Sequence, residues 1–251
     1  MTRLSRHHLK SLPRDVRRPS YDRAAVRAGV VHLGIGAFHR AHQAAIFEES
    51  LNAGDLRWGI IAASLRSPAV RDQMAPQDGL YTMLVRDGSA DRAQVIGAVR
   101  QVIVAPEDPE ALLAALTAPD THIVTLTVTE KGYKLDPATG GLIEGDAQVA
   151  ADLVSLKAPQ TAPGYLVAAL ARRKKEGLTP FTAISCDNLP HNGQRLRGAV
   201  LDLARRHDTA LADWIAAEGA FPETMVDRIV PATTADDVAA LGRRLGVEGQ
   251  A

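Results

Sequence analysis

The 251-residue sequence predicts an α/β protein, a doubly wound and mostly parallel sheet with an inserted β-hairpin. Three observations predict it. Short β-rich runs alternate with amphipathic stretches along the chain. The run His122-Ile123-Val124-Thr125-Leu126-Thr127-Val128 is largely apolar and β-branched, as strands buried on both faces of a parallel sheet are. Finally, Val30-Val31-His32-Leu33 breaks at Gly34-Ile35-Gly36 and runs on into a helix-competent segment, a strand–turn–helix layout.

Taken in order, Val30–Leu33 is the first strand. Ala37, Ala41, Ala44, Phe47 and Leu51 follow at three- and four-residue spacing and define one helix face over 37–51, which Gly54 can close. Trp58–Leu65 reads as the second strand, and Ser67-Pro68 as N-cap and first residue of a helix through Met74. Tyr81–Val85 and Val95–Val104 are β-rich runs joined by the hairpin loop 86–92. Asp108-Pro109 starts a helix through Leu116, and the strand at 122–128 exits into Thr129-Glu130-Lys131-Gly132-Tyr133. Helices are expected over 147–156 and 164–175, and a strand over 181–185. Asn192 is expected to cap a helix to Arg206, with a further helix over 211–218, a short strand over 225–230 and a last helix over 234–245.

The bulk numbers narrow the function classes. An apolar fraction of 46% is enough for a sizeable core in one large or two modest domains. Twenty-nine basic residues balance 29 acidic ones, so no long-range field favours nucleic acid or anionic lipid as partner. The expected partner is a small molecule, not a nucleic acid or a membrane. The one cysteine, Cys186, excludes an internal disulfide framework and suits a reducing compartment; the cytoplasm is expected. Residues 1–28 carry several arginines but no apolar secretory core, and read as an arm over the domain surface.

In open α/β sheets ligands bind beyond the carboxyl ends of the strands, so the residues that follow each strand matter most. Gly34-Ile35-Gly36-Ala37-Phe38 has the layout of a dinucleotide turn: one glycine takes the tight turn, the other lets backbone approach a pyrophosphate. The third glycine of the usual G-x-G-x-x-G is His39 here. Asp55 stands at about the usual spacing for a ribose-binding acid but precedes the second strand, at the wrong end. At that strand's exit Arg66 can hold a 2′-phosphate, lie over adenine or simply be solvated, which leaves NAD and NADP both open. Thr129, Glu130 and Lys131 follow the central strand. Lys131 reads either as a base or as a surface partner of Glu130. Asn188 can donate to a carbonyl oxygen that becomes an alkoxide, or serve as a turn residue of Asn-Leu-Pro. His39 and His42 lack a third metal ligand and read as polar helix residues, so no metal is expected; Cys186 reads as a buried strand residue. No hydrolase elbow, zincin or P-loop motif occurs.

These segments together resemble the mannitol dehydrogenase family of polyol-specific long-chain dehydrogenases, which also spans fructuronate reductases. The resemblance rests on Gly34–His42, Gln77–Thr82, Thr127–Tyr133, Ser185–Gly193 and Phe221–Pro231. It implies a Rossmann-like fold and an NAD(P)-dependent, metal-independent oxidoreductase that interconverts a polyol and a ketose, or a hexuronate counterpart. It also implies that Asn188 is the cofactor-domain asparagine that polarises the carbonyl, with Gly34, Ile35, Gly36, Ala37, Phe38, Arg66, Thr129, Glu130 and Lys131 around the cofactor. The family's base is a lysine in a Lys-x-x-x-x-Asn-x-x-His motif of a later helical domain. None of Lys10, Lys131, Lys134, Lys157, Lys174 or Lys175 has that context. The chain therefore resembles an N-terminal half: an arm over 1–28, a dinucleotide-binding domain over 29–231, and the start of a second domain over 232–251. A non-catalytic nucleotide-binding remnant, a half that needs a partner chain, and a methyltransferase-like domain are the alternatives. NAD is the expected cofactor, with NADP open.

Overall fold

The computed structural model describes residues 3–86, 91–136, 139–226 and 229–247. In chain order its regular elements are β1 (Val30–Leu33), α1 (Ala37–Ala41), α2 (Gln43–Asn52), β2 (Ile60–Ser64), α3 (Ala69–Met74), β3 (Tyr81–Arg86), β4 (Asp91–Ile96), β5 (Val99–Val104), α4 (Pro109–Thr117), β6 (Ile123–Leu126), α5 (Ala147–Val154), α6 (Ala162–Lys175), β7 (Thr182–Ser185), α7 (Asn192–His207), α8 (Thr209–Glu218) and α9 (Ala235–Leu245). Five strands form a parallel sheet in the order β5-β2-β1-β6-β7, and β3 pairs antiparallel with β4 as a separate hairpin.

The chain winds outward from β1 through β2 to β5, then returns to place β6 on the other side of β1. Strand order thus reverses between β1 and β6, and the crevice beyond their carboxyl ends is where an open α/β sheet takes its ligand.

Alternation along β1 sends Val31 and Leu33 into the cluster formed with α4, α6, α7 and α8, and Val30 into the cluster with Ala44, Leu51 and Met74 on the other face. Full burial of each such aliphatic side chain stabilises by roughly 1.5–3 kcal/mol. A third cluster joins Leu4, Leu12 and Val16 of the N-terminal arm to Val95 of β4 and to Leu245 and Val247 around the end of α9. Among the described residues no helix is long and apolar enough to cross a membrane.

Several sequence expectations are corrected. The helix over 37–51 is two helices, broken at His42 (φ −122°, ψ −82°). The run Val95–Val104 is two strands: β4 closes the hairpin and β5, after Gly97-Ala98, joins the main sheet, because backbone pairing and not composition decides where a β-rich run turns. The N-cap of α3 is Pro68, not Ser67, whose N–H donates to the Ser64 hydroxyl at 3.2 Å. His191, in the left-handed region at φ 54°, precedes α7 in place of Asn192. No strand forms at 225–226 or 229–230, and residues 227–228 lie outside the described set. Ala220 bridges to Thr182 on β7, while Met225 and Ile229 are 93% and 90% exposed.

Candidate functional site

Strand register brings the predicted residues to one line. Leu33 pairs with Ala63 and with Leu126, and Leu126 pairs with Ser185. Three residues past each member of that row stand Gly36, Arg66, Thr129 and Asn188. The carboxyl edge of the sheet therefore presents all four turns together, with the β1–β6 crevice at the centre.

The two glycines after β1 do different work. Gly34 has φ +97°, and a Cβ there would stand 2.2 Å from the carbonyl oxygen of Thr127, so only glycine fits. The Thr127 hydroxyl donates to the Gly34 carbonyl at 2.7 Å and ties the turn to the β6 exit. Gly36 has ordinary extended backbone (φ −111°), and a Cβ there would meet nothing nearer than the Gly34 carbonyl at 3.8 Å. Among the described residues nothing requires a glycine at 36. Gly36 is half-buried and stands as the N-cap of α1, whose first N–H groups have no intrahelical partner. A five-residue helix carries little macrodipole, so these N–H groups are what an anion would meet. Ile35 is buried, Ala37 is exposed, and Phe38 stacks on His42 with ring centroids 5.0 Å apart.

Behind the turn lies a buried polar group. His32 places Nδ1 2.8 Å from the Thr125 hydroxyl and Nε2 3.1 Å from that of Thr127, and the His39 ring stacks on it at 3.4 Å. Burial pushes the His32 imidazole down to about 3. His39 is held well below its ordinary value by burial and then by the neighbouring His32. Both rings are therefore neutral spacers at pH 7. The third position of the glycine pattern, His39, is thus packed into the core against β1 and not directed at a ligand.

The β6 and β7 exits are fastened to each other by a residue that sequence reasoning passed over. The Asp187 carboxylate accepts from the N–H groups of Val128 (3.1 Å) and Thr129 (2.9 Å) and from the Tyr133 hydroxyl (2.6 Å), which also lies 2.6 Å from Ser185 Oγ. Burial, and then the Asp187 charge, push the Tyr133 hydroxyl well above its ordinary value, so it stays a donor. Thr129 is held at φ 66°, ψ 165°, a region that is nearly glycine-only and costs on the order of 1–3 kcal/mol for other residues. Asn192 completes the support: its Nδ2 donates to the Asp187 carbonyl and to Thr224 O, each at 3.0 Å, and its Oδ1 accepts from Thr224 N at 3.1 Å. The one available signal was an acid directly after an apolar strand, in Ser185-Cys186-Asp187-Asn188.

Thr129, Glu130, Lys131 and Asn188 are all exposed on this clamped edge. Lys131 does not pair with Glu130 as the surface reading expects; Glu130 lies 3.9 Å from Arg195, and Lys131 has no ion pair among the described residues. The Asn188 amide makes no hydrogen bond among the described residues, whereas Asn192 does the structural work of the turn. On the β2 side Arg66 is exposed and has no ion pair among the described residues, and Ser64 Oγ accepts from the N–H groups of Arg66 (3.4 Å) and Ser67 (3.2 Å). Asp55 donates no function here: it grips Arg57 at 2.7 Å and Trp58 Nε1 at 2.8 Å before β2 begins. Cys186 is buried, and burial pushes its thiol up to about 11, which leaves it inert.

A five-stranded parallel sheet with an open glycine turn at the point of strand reversal defines a nucleotide-binding α/β domain. The profile of the mannitol dehydrogenase Rossmann domain matches residues 28–247, and the chain belongs to that family. It is 44% identical to the uncharacterized oxidoreductase YeiQ of Escherichia coli K12 over 94% of this chain and 49% of that protein. It is 45% identical to mannitol 2-dehydrogenase of Phaeosphaeria nodorum over 92% of this chain and 41% of that protein. A solved structure of Pseudomonas fluorescens mannitol 2-dehydrogenase, in ternary complex with NAD and D-mannitol, superposes with a TM-score of 0.93 at 38% identity, covering 98% of this chain and 51% of the other. The chain spans about half the length of these relatives.

Proposed function

We propose that residues 29–231 hold NAD for a polyol dehydrogenase that interconverts a sugar alcohol and a ketose of the mannitol and fructose kind, in the cytoplasm. The observation that carries this reading is the open space at Gly36, a missing Cβ that the fold itself does not need, at the strand-reversal point. Likeness to a mannitol 2-dehydrogenase solved with NAD and D-mannitol supports it.

On this reading the open space at Gly36 and the N–H groups of Ala37 and Phe38 take the pyrophosphate, while Gly34 and Ile35 shape the turn. The β2 exit, with Arg66, faces the adenosine end. Thr129, Glu130, Lys131 and Asn188 surround the nicotinamide end. The cofactor, when bound, supplies hydride chemistry. The Asn188 amide donates to the substrate oxygen and stabilises negative charge as it develops there. No lysine of these 251 residues stands in the family's base motif, so on this reading none of them is assigned as the proton-transferring base.

Fluorescence titration with NADH tests the reading. The chain is expected to bind NADH and not S-adenosylmethionine; the reverse result would replace the dehydrogenase reading with a methyltransferase one. A steady-state assay with mannitol or arabinitol is expected to show turnover at least ~10²–10⁴-fold below ordinary dehydrogenase rates, the usual loss without a general base. Ordinary rates from these 251 residues alone would mean that Lys131 suffices as base.

A further inference from the structure

We propose that Asp187 is a positioning residue for the nicotinamide half of the site: it holds Thr129 in a left-handed backbone that sets where Thr129, Lys131 and Asn188 stand. The inference rests on the dinucleotide reading and goes beyond it by assigning a role to a residue that need not touch the ligand.

Three observations converge. A β-branched residue at φ 66° does not persist without a restraint, and the restraint here is one carboxylate that accepts the N–H groups of Val128 and of Thr129 itself. That carboxylate is itself buried and fixed on the other side by the Tyr133 hydroxyl, within reach of Ser185, so it has one place to stand. Asp187 also precedes Asn188 directly, and its carbonyl is held by Asn192. One side chain thereby fixes two strand exits, and both lie on the β6–β7 side of the strand-reversal crevice. Doubly wound sheets bind one mononucleotide on each side of that crevice, so the two ends of a dinucleotide read different strands. The β2 exit, which serves the other end, makes no contact with Asp187 among the described residues.

Asparagine at 187 keeps the size but can accept on one oxygen only, and sets its NH₂ group against the N–H of Val128 or of Thr129. Thr129 is then free to relax. The test compares NADH with ADP-ribose, which lacks the nicotinamide, by calorimetric titration of the 251-residue chain, with melting temperature measured alongside. Asp187→Asn is expected to weaken NADH about tenfold, as loss of a charge-assisted restraint would, and ADP-ribose less than about twofold. Adding Thr129→Gly, which takes the same φ without strain, is expected to restore NADH to within about threefold of wild type. Should Asp187→Asn not fold, Tyr133→Phe asks the same question by removing the third donor: about a threefold loss for NADH is expected, and none for ADP-ribose. Equal losses for the two ligands, or none, would overturn the inference and leave the dinucleotide reading standing. Wild-type protein that binds neither ligand would overturn both.

Discussion

The two sides of the strand-reversal crevice are built differently. Beyond β6 and β7 the loops are fastened by a buried carboxylate, a buried tyrosine and a buried asparagine, and a threonine is kept in a strained conformation. Beyond β2 and β5 the loops are held by the Ser64 hydroxyl, at 3.2–3.4 Å, by backbone bonds such as Ala105 N to Ser64 O at 2.9 Å, and by a solvent-exposed Arg71–Glu107 ion pair; Arg66 stands in solvent. The difference teaches where accuracy is needed. Hydride transfer demands placement to a fraction of an ångström, whereas a grip on a ribose tolerates an adjustable side chain.

The largest effect expected is on the fold itself, at the turn both sides share. Gly34→Val sets a Cβ against the Thr127 carbonyl at a positive φ and should cost about 4 kcal/mol or more, enough to unfold a marginal domain. A Cβ at Gly36 would meet nothing nearer than the Gly34 carbonyl at 3.8 Å, so Gly36→Val should change stability by less than about 1 kcal/mol. Urea unfolding of the pair checks this. Equal costs would erase the distinction between the two glycines.

Next in size is a pH effect centred on the stacked imidazoles behind the turn. The His32 pKa is about 3 in the folded chain and near 6.5 when unfolded, so below pH 6.5 the unfolded chain binds the extra proton and stability falls as pH drops toward 3. The slope is about 1.4 kcal/mol per pH unit for each such histidine, and His39 shifts in the same direction. Glu48 and Asp152, whose carboxyls burial pushes upward, oppose the fall toward the acid end. Urea midpoints at pH 7 and pH 5 should differ accordingly. His32→Gln, neutral at both, should narrow the gap; an unchanged gap would mean that the stacked pair is not its source.

The smallest effect is expected on the loosely built side. Arg66→Ala should alter NADH affinity by less than about twofold, since an exposed arginine contributes little to a ligand that lacks a 2′-phosphate. Parallel titration with NADPH sharpens the point: a selective tenfold loss for NADPH would move the cofactor assignment from NAD to NADP.

How much of this was legible in the chain follows the range of the interactions. The strand–turn–helix at 30–41, the cap at Asp108 and the carboxyl-edge placement of Gly36, Arg66, Thr129 and Asn188 were readable because hydrophobic period and turn chemistry act over a few residues. The clamp was not: Asp187 and Thr129 are 58 positions apart, and only the β6–β7 register makes them neighbours. The break at His42 was hidden for a related reason. Helical spacing of Ala37, Ala41 and Ala44 continues across it, while the chain bends so that His39 can stack on His32. The apolar letters around 225–230 spelled a strand, but Ala220 is the residue that bridges to β7 in that stretch of the chain, and Met225 is left exposed.

The central claim is that the vacancy at Gly36 exists for a pyrophosphate, and NADH titration of wild type against Gly36→Val, each with its melting curve, tests it most directly. The account predicts that wild type binds and that the variant melts at the same temperature yet loses more than about a hundredfold in affinity, since a branched side chain would fill the cradle. A folded variant with the wild-type dissociation constant would contradict it.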